Sequence, residues 1–184
     1  VASALPPNDP FYQELQEEDL PVIAVDRSQS PGVISCVVSD NRKGAATLAR
    51  SVLEPGTGSV VWLDAVPALA MTRERREGFE EVARSRSGQW AVYSGEHYDR
   101  ASGARLMQLV LADQGLPDAL ITASYTLLQG VLDVLLEQPG GLPQSLRMAT
   151  FGDDRLLDFL PVKVHSLPQK HEAIAEATLD RALA

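Results

Sequence analysis

The chain has 184 residues, of which 45% are hydrophobic, enough to build one large domain or two small lobes. A net charge of −9 argues against this segment gripping nucleic acid by itself, and leaves open a separate DNA-binding module outside it. No apolar run approaches a membrane span, and the single cysteine, Cys36, excludes an internal disulfide framework, so a reducing cytoplasm is the easier assumption.

Val1-Ala2-Ser3 reads as a chain opening in mid-strand, with no Met and no signal-peptide pattern, so the natural protein is expected to extend further toward its N-terminus. A Pro-rich loop at 6–10 leads to a short acidic helix over 11–18. An apolar strand is predicted at 21–26 and a β-branched one at 33–38. Asp40 caps the next helix, in which Ala45, Leu48, Ala49, Val52 and Leu53 recur at helical spacing until Pro55-Gly56 stop it. A strand at 59–63 precedes a helix that starts near Met71. Then come a strand at 90–93, a helix from its cap Asp99 to Gly115, a strand at 119–122 and a helix from its cap Ser124 to about Gln138. Strands at 146–151 and 162–164 and a closing helix at 171–183 complete the pass.

Strands and helices alternate, and the strands are almost continuously apolar, which is the pattern of parallel α/β sheets. Open sheets of this kind bind ligands beyond the carboxyl ends of their strands. That rule selects Asp26 and Arg27, Ser39-Asp40-Asn41, Tyr98, Ser124 with Tyr125, and Asp153. Each has a plainer reading beside the functional one: Asp26-Arg27 as a water-facing turn, Ser124 as a helix cap, Tyr98 as a loop aromatic, Asp153-Asp154 as a turn pair.

Arg75 stands out among the candidates. In the helix that starts near Met71, Arg73 has Glu77 four residues on and Arg76 has Glu80, so both read as solvated ion-pair partners. Arg75 instead has Met71, Thr72, Gly78 and Phe79 as helical neighbours and points along the face that Phe79 and Val82 bury. A guanidinium there needs an anion or several acceptors. Two readings remain open: a salt bridge to an Asp from another segment, or a clamp for a phosphate or vicinal hydroxyls.

The helix from Ser124 to Gln138 carries Leu127, Leu128, Val131, Leu132, Val134 and Leu135, leaving little polar surface. One face is expected on the sheet, and Leu127, Leu128, Val131 and Leu135 are expected to reach a dimer interface. His97, His165 and His171 lack metal-ligand spacing, and the chain has no nucleophile elbow, phosphate-binding P-loop or dinucleotide fingerprint. No metal site or cofactor is expected, and nothing argues positively for an enzyme.

Residues 21–27, 39–45 and 73–79 resemble, in order and spacing, the effector domain of LacI-type transcriptional repressors. Residues 127–131, 149–153 and 156–160 resemble the fructose-responsive branch of that family, and the similarity covers essentially the whole chain. The resemblance implies a two-lobed, periplasmic-binding-protein-like α/β fold, with parallel sheets flanked by helices and the first lobe incomplete in this chain. Residues 1–38 would be the later part of the first lobe, 39–167 the second, and 168–184 a helix returning to the first; the DNA-binding head lies outside the chain. It also implies roles. Arg75 falls on the family's sugar-contacting arginine, Asp26 on its strand-end aspartate and Tyr98 on its stacking aromatic. Ser124 stands where Asn is common, and Gly152 where Asp is common, with Asp153 beside it. Arg27 adds positive charge suited to a sugar phosphate. The implied effector is fructose 1-phosphate, with fructose 1,6-bisphosphate as second candidate. The implied partners are operator DNA through the head and a second copy of the chain, as a dimer or tetramer. Effector would shift lobe populations and lower operator affinity. A periplasmic sugar-binding transport receptor of the same fold is the rival class, and a phosphosugar enzyme the third.

Overall fold

The apolar strands form a sheet that must be covered on both faces, and the helices supply the two covers. The computed structural model describes residues 10–18, 22–26 and 35–183. In chain order the elements are α1 (Pro10–Glu17), β1 (Ile23–Val25), β2 (Ser35–Val37), α2 (Asn41–Val52), β3 (Ser59–Ala65), α3 (Ala70–Arg84), β4 (Gln89–Gly95), α4 (Arg100–Gln114), β5 (Ala119–Thr122), α5 (Tyr125–Leu136), β6 (Arg147–Phe151), a 3-10 turn (Arg155–Phe159), β7 (Val164–Leu167) and α6 (His171–Leu183). Strands β3 to β7 form a parallel sheet in the order β4-β3-β5-β6-β7. β1 and β2 form a separate two-stranded parallel sheet, with Ala24 opposite Cys36. α6 packs on that small sheet, where the Arg181 guanidinium donates to the Cys36 carbonyl.

Alternation along each strand divides the core. Val60, Trp62, Ala119, Ile121 and Ala149 face α2 and α3. Val61, Leu63, Leu120 and Met148 face α4 and α5. A strand buried on both faces cannot alternate with polar residues, which is why the sequence shows continuous apolar runs. β7 starts at Val164, two residues later than expected, because its pairing with β6 begins at Met148 opposite Val164. Val162 plugs the core on the α5 side instead, at 7% exposure.

The expected dimer interface on α5 is corrected by the structure. Leu127, Leu128, Val131 and Leu135 are each 0% exposed within this one chain. The second cover that the leucines demanded is α4. A Cβ built on Gly130 would lie 1.9 Å from the Arg100 carbonyl oxygen, and one on Gly103 would lie 2.0 Å from that of Leu127. The two helices therefore touch backbone to backbone, an approach only glycine permits. Arg100 closes the same seam from outside, its Nε and Nη2 each donating to Asp133 at 2.6 Å.

At the amino ends of the strands, Asp118 joins β5 to β3 by accepting from the backbone N–H groups of Gly58 and Ser59, at 2.9 and 2.8 Å. Those donors hold its carboxyl below the usual aspartate range.

Val131→Asp should cost on the order of 3–5 kcal/mol by burying an unpaired charge, and abolish cooperative thermal unfolding. Leu136→Asp, at a position 55% exposed, should shift stability by no more than about 0.5 kcal/mol in the same calorimetric scan. Because the Asp118 pKa is depressed on folding, its contribution is complete above the unfolded value of about 4 and is lost as pH falls through the folded one. Denaturant unfolding between pH 2 and 6 should therefore show Asp118→Asn less stable than wild type at pH 6, with the gap closing toward pH 2.

Candidate functional site

The carboxyl ends of β3, β5 and β6 meet the start of α2 and the second turn of α3, and Arg75 lies where they converge. It is only 4% exposed. α3 comes this near to α2 because of Gly78, where a Cβ would lie 2.0 Å from the Arg42 carbonyl oxygen. That contact brings Arg75 within reach of Asn41, the first residue of α2. Arg75 Nε donates to Asn41 Oδ1 at 2.9 Å, and Nη1 donates to the Ala123 carbonyl at 2.6 Å, just past β5. The guanidinium carbon sits 4.1 Å from the centroid of the Phe151 ring at the end of β6.

All three partners are neutral. Among the described residues Arg75 makes no salt bridge, so the internal ion-pair reading is not realised there. Burial lowers the Arg75 pKa, while Tyr98, Asp26 and Glu74 act in the opposite direction. The site thus holds a buried positive charge, solvated by an amide, a carbonyl and a ring, at the sheet edge where ligands bind in such folds.

Tyr98 packs beside it. Its hydroxyl lies 2.8 Å from Thr72 Oγ1, which donates to the Ala65 carbonyl at 2.8 Å. Burial raises the Tyr98 pKa, so the phenol stays protonated near neutral pH. Thr126 Oγ1 donates to the Tyr98 carbonyl at 3.2 Å and contacts Ser124 Oγ at 2.8 Å. Ser124 caps α5 by accepting from the Leu127 N–H at 3.3 Å. Tyr125 opens α5 against Gly152, where a Cβ would come 3.2 Å from the Tyr125 Cβ. Asp26 ends β1 in a left-handed conformation, φ 54°, and its N–H donates to the Val37 carbonyl at 2.9 Å. Val66 ends β3 at φ 48°, a conformation a β-branched residue holds only under constraint, and its N–H donates to the Gly95 carbonyl at 3.0 Å.

Of the residues selected from sequence, Asn41, Arg75, Tyr98, Ser124 and Tyr125 gather on this edge, and Asp26 joins them through its electrostatic influence on Arg75. Asp153 is exposed beyond Gly152 and makes no hydrogen bond to the cluster. Arg27 lies outside the described residues. Thr72, Thr126 and Phe151 are additions that no local pattern announces, and Asn41 gains its role only through Gly78. Arg76 is a correction. It does not pair with Glu80 but forks onto Asp64, Nε to Oδ2 at 2.9 Å and Nη2 to Oδ1 at 2.8 Å. Asp64 is 0% exposed and also accepts from Trp62 Nε1 at 3.0 Å. Glu80 pairs with Arg84, and Arg73 donates to the Ala68 carbonyl at 2.5 Å rather than to Glu77.

No protein-family model matches the chain. The fructose operon regulatory protein of Vibrio cholerae is 46% identical over 183 residues, covering 100% of this chain and 56% of its own length. The catabolite repressor/activator of Escherichia coli K12 is 35% identical over 184 residues, covering 100% of this chain and 55% of its own. The crystal structure of the Cra transcriptional dual regulator from Pseudomonas putida, in complex with fructose 1-phosphate, matches with a TM-score of 0.94 at 45% identity, over 100% of this chain and 68% of that one. A periplasmic component of a sugar transport system from Hahella chejuensis, at 20% identity and a TM-score of 0.80 over 95% of this chain and 66% of its own, shares the fold alone. The chain belongs to the LacI family of transcriptional regulators, with the two-lobed periplasmic-binding-protein-like fold and the first lobe represented only in part. These fructose-operon and Cra relatives are regulators, not enzymes, and this chain spans about half the length of the curated ones.

Removing Asp64 should be costly in a way that removing a surface partner is not. Asp64→Ala leaves Arg76 half-buried without its anion and Trp62 without its acceptor, and should lower stability by about 2–4 kcal/mol. Glu81→Ala, which breaks the exposed Arg42–Glu81 pair, should cost less than about 1 kcal/mol in the same denaturant titration.

Proposed function

We propose that this chain is the effector-sensing part of a DNA-binding regulator of sugar metabolism, and that its effector is fructose 1-phosphate, with fructose 1,6-bisphosphate as second candidate. The observation that carries the reading is Arg75: a buried guanidinium whose described partners are all neutral, at the ligand-binding edge of the sheet. An anionic sugar phosphate supplies the charge that the cradle lacks. The Pseudomonas putida relative, solved with fructose 1-phosphate, supports the same choice. Asp26, Tyr98, Ser124, Tyr125 and Asp153 are assigned to the sugar, and Arg27 to the phosphate.

In this reading residues 1–38 belong to the first lobe, 39–167 form the second, and 168–184 return to the first. Effector in the cleft favours a closed arrangement that seats the DNA heads badly on the operator, lowering its affinity. The regulator works in the bacterial cytoplasm as a homodimer. Its contact uses exposed apolar side chains such as Leu109 on α4 and Leu156 and Phe159 on the 3-10 turn, rather than the buried face of α5.

Calorimetry on the full-length regulator tests the assignment. Fructose 1-phosphate should bind, free fructose should bind far more weakly, and Arg75→Ala should lose a few kcal/mol of effector affinity, on the order of a hundredfold or more. Arg73→Ala should lose little. Added fructose 1-phosphate should release labelled operator DNA in an anisotropy titration. Equal affinity for fructose and its phosphate would sink the anion argument.

A further inference from the structure

Asn41 is engaged on both sides of its amide. Oδ1 accepts from Arg75 Nε at 2.9 Å, and Nδ2 donates to Glu74 Oε2 at 2.8 Å. A guanidinium can only donate and a carboxylate can only accept, so this orientation is imposed by the partners. The residue is 5% exposed although it opens a helix. It is not spent on capping, because Asp40 already caps α2 by accepting from the Lys43 N–H at 3.2 Å. No other side chain of similar size serves both contacts. Asp would set a second carboxylate against Glu74, and Leu or Ala would offer Arg75 no acceptor.

Its place in the chain matters as much as its bonds. Residues 38–40 run from β2, in the two-stranded sheet, to α2, which packs on the five-stranded sheet. Asn41 is the first residue after that connection. Its hold on Arg75 therefore joins the guanidinium to the connecting segment, while Ala123 and Phe151 join it to the larger sheet.

We propose that Asn41 is a positioning residue for Arg75: it sets the rotation of the guanidinium from the segment that links the two sheets, so a shift of that segment changes how Arg75 meets an anion. By reciprocity, an anion held by Arg75 restrains the segment. The inference rests on the effector-sensing reading for its consequence, but not for the positioning itself.

The test separates the two. In the full-length protein labelled with 15N in arginine, the Arg75 Nε–H signal is assigned by its loss in Arg75→Lys, and its exchange with solvent is followed without any ligand. Asn41→Ala should speed that exchange at least about tenfold, while the Arg76 Nε–H, held by Asp64, keeps its rate. The same variant should weaken fructose 1-phosphate binding roughly tenfold to a hundredfold. Unchanged Arg75 exchange, or equal acceleration at Arg76, overturns the proposal, the second because it would mean general loosening. Should Asn41→Ala fail to fold, Glu74→Ala frees the amide from its other side and decides by the same two signals. If the wild type binds no sugar phosphate, the sensing reading fails while the exchange rates still decide the role of Asn41.

Discussion

The burial of the Arg75 guanidinium is the constraint on which the arrangement of the site depends. A charge taken out of water must be given acceptors or it will not stay. Here they come from three elements: the amide of Asn41 opens α2, the carbonyl of Ala123 follows β5, and the face of Phe151 ends β6. Each must arrive within a few tenths of an ångström, so α2, α3, β5 and β6 are held in mutual register at their carboxyl edge. Because none of the three partners carries a charge, the cradle keeps the positive charge that a ligand would read.

Arg75 and Arg76 are adjacent in sequence and opposite in fate, and helix geometry explains why. One residue along a helix turns the side chain by about 100°. Arg75 faces the edge of the sheet, while Arg76 faces β3 and β4, where it forks onto Asp64 and donates to Ser94 Oγ at 2.7 Å. The Asp64 carboxylate also holds the Trp62 indole, so the pair pins α3 to the strand beneath it. The bidentate bond raises the Arg76 pKa, where burial lowers that of Arg75. One arginine is matched by a carboxylate inside the fold, and the other is held by neutral groups alone among the described residues.

Close helix approach is the second organising device. Gly78 brings α3 onto α2, and Gly103 with Gly130 brings α4 onto α5. These contacts sit on opposite faces of the sheet and act differently. The first delivers Asn41 to Arg75 and so builds the site. The second seals the core over Leu127, Val131 and Leu135, which is why a helix so rich in leucine needs no second subunit to cover that face.

By itself the sequence determined the alternation of strands and helices, the parallel sheet, the caps Asp40, Asp99 and Ser124, and the burial of Arg75. All of these follow from periodicity and local chemistry within a few turns of chain. The family was legible too, in motifs whose order and spacing persist. What covers the leucines of α5, and which anion Arg76 meets, were decided only by tertiary structure. The pattern along α5 shows how much apolar surface needs covering, but not that α4 supplies the cover. Spacing offered Glu80 to Arg76, yet Asp64, 12 positions away, gives a buried bidentate partner while Glu80 pairs with Arg84. Asn41 likewise stands 34 positions from Arg75 and reaches it because a glycine lets two helices touch. Local patterns fix which groups need partners; the packing of distant segments selects the partners, because burial rewards whichever contact satisfies the most groups at once.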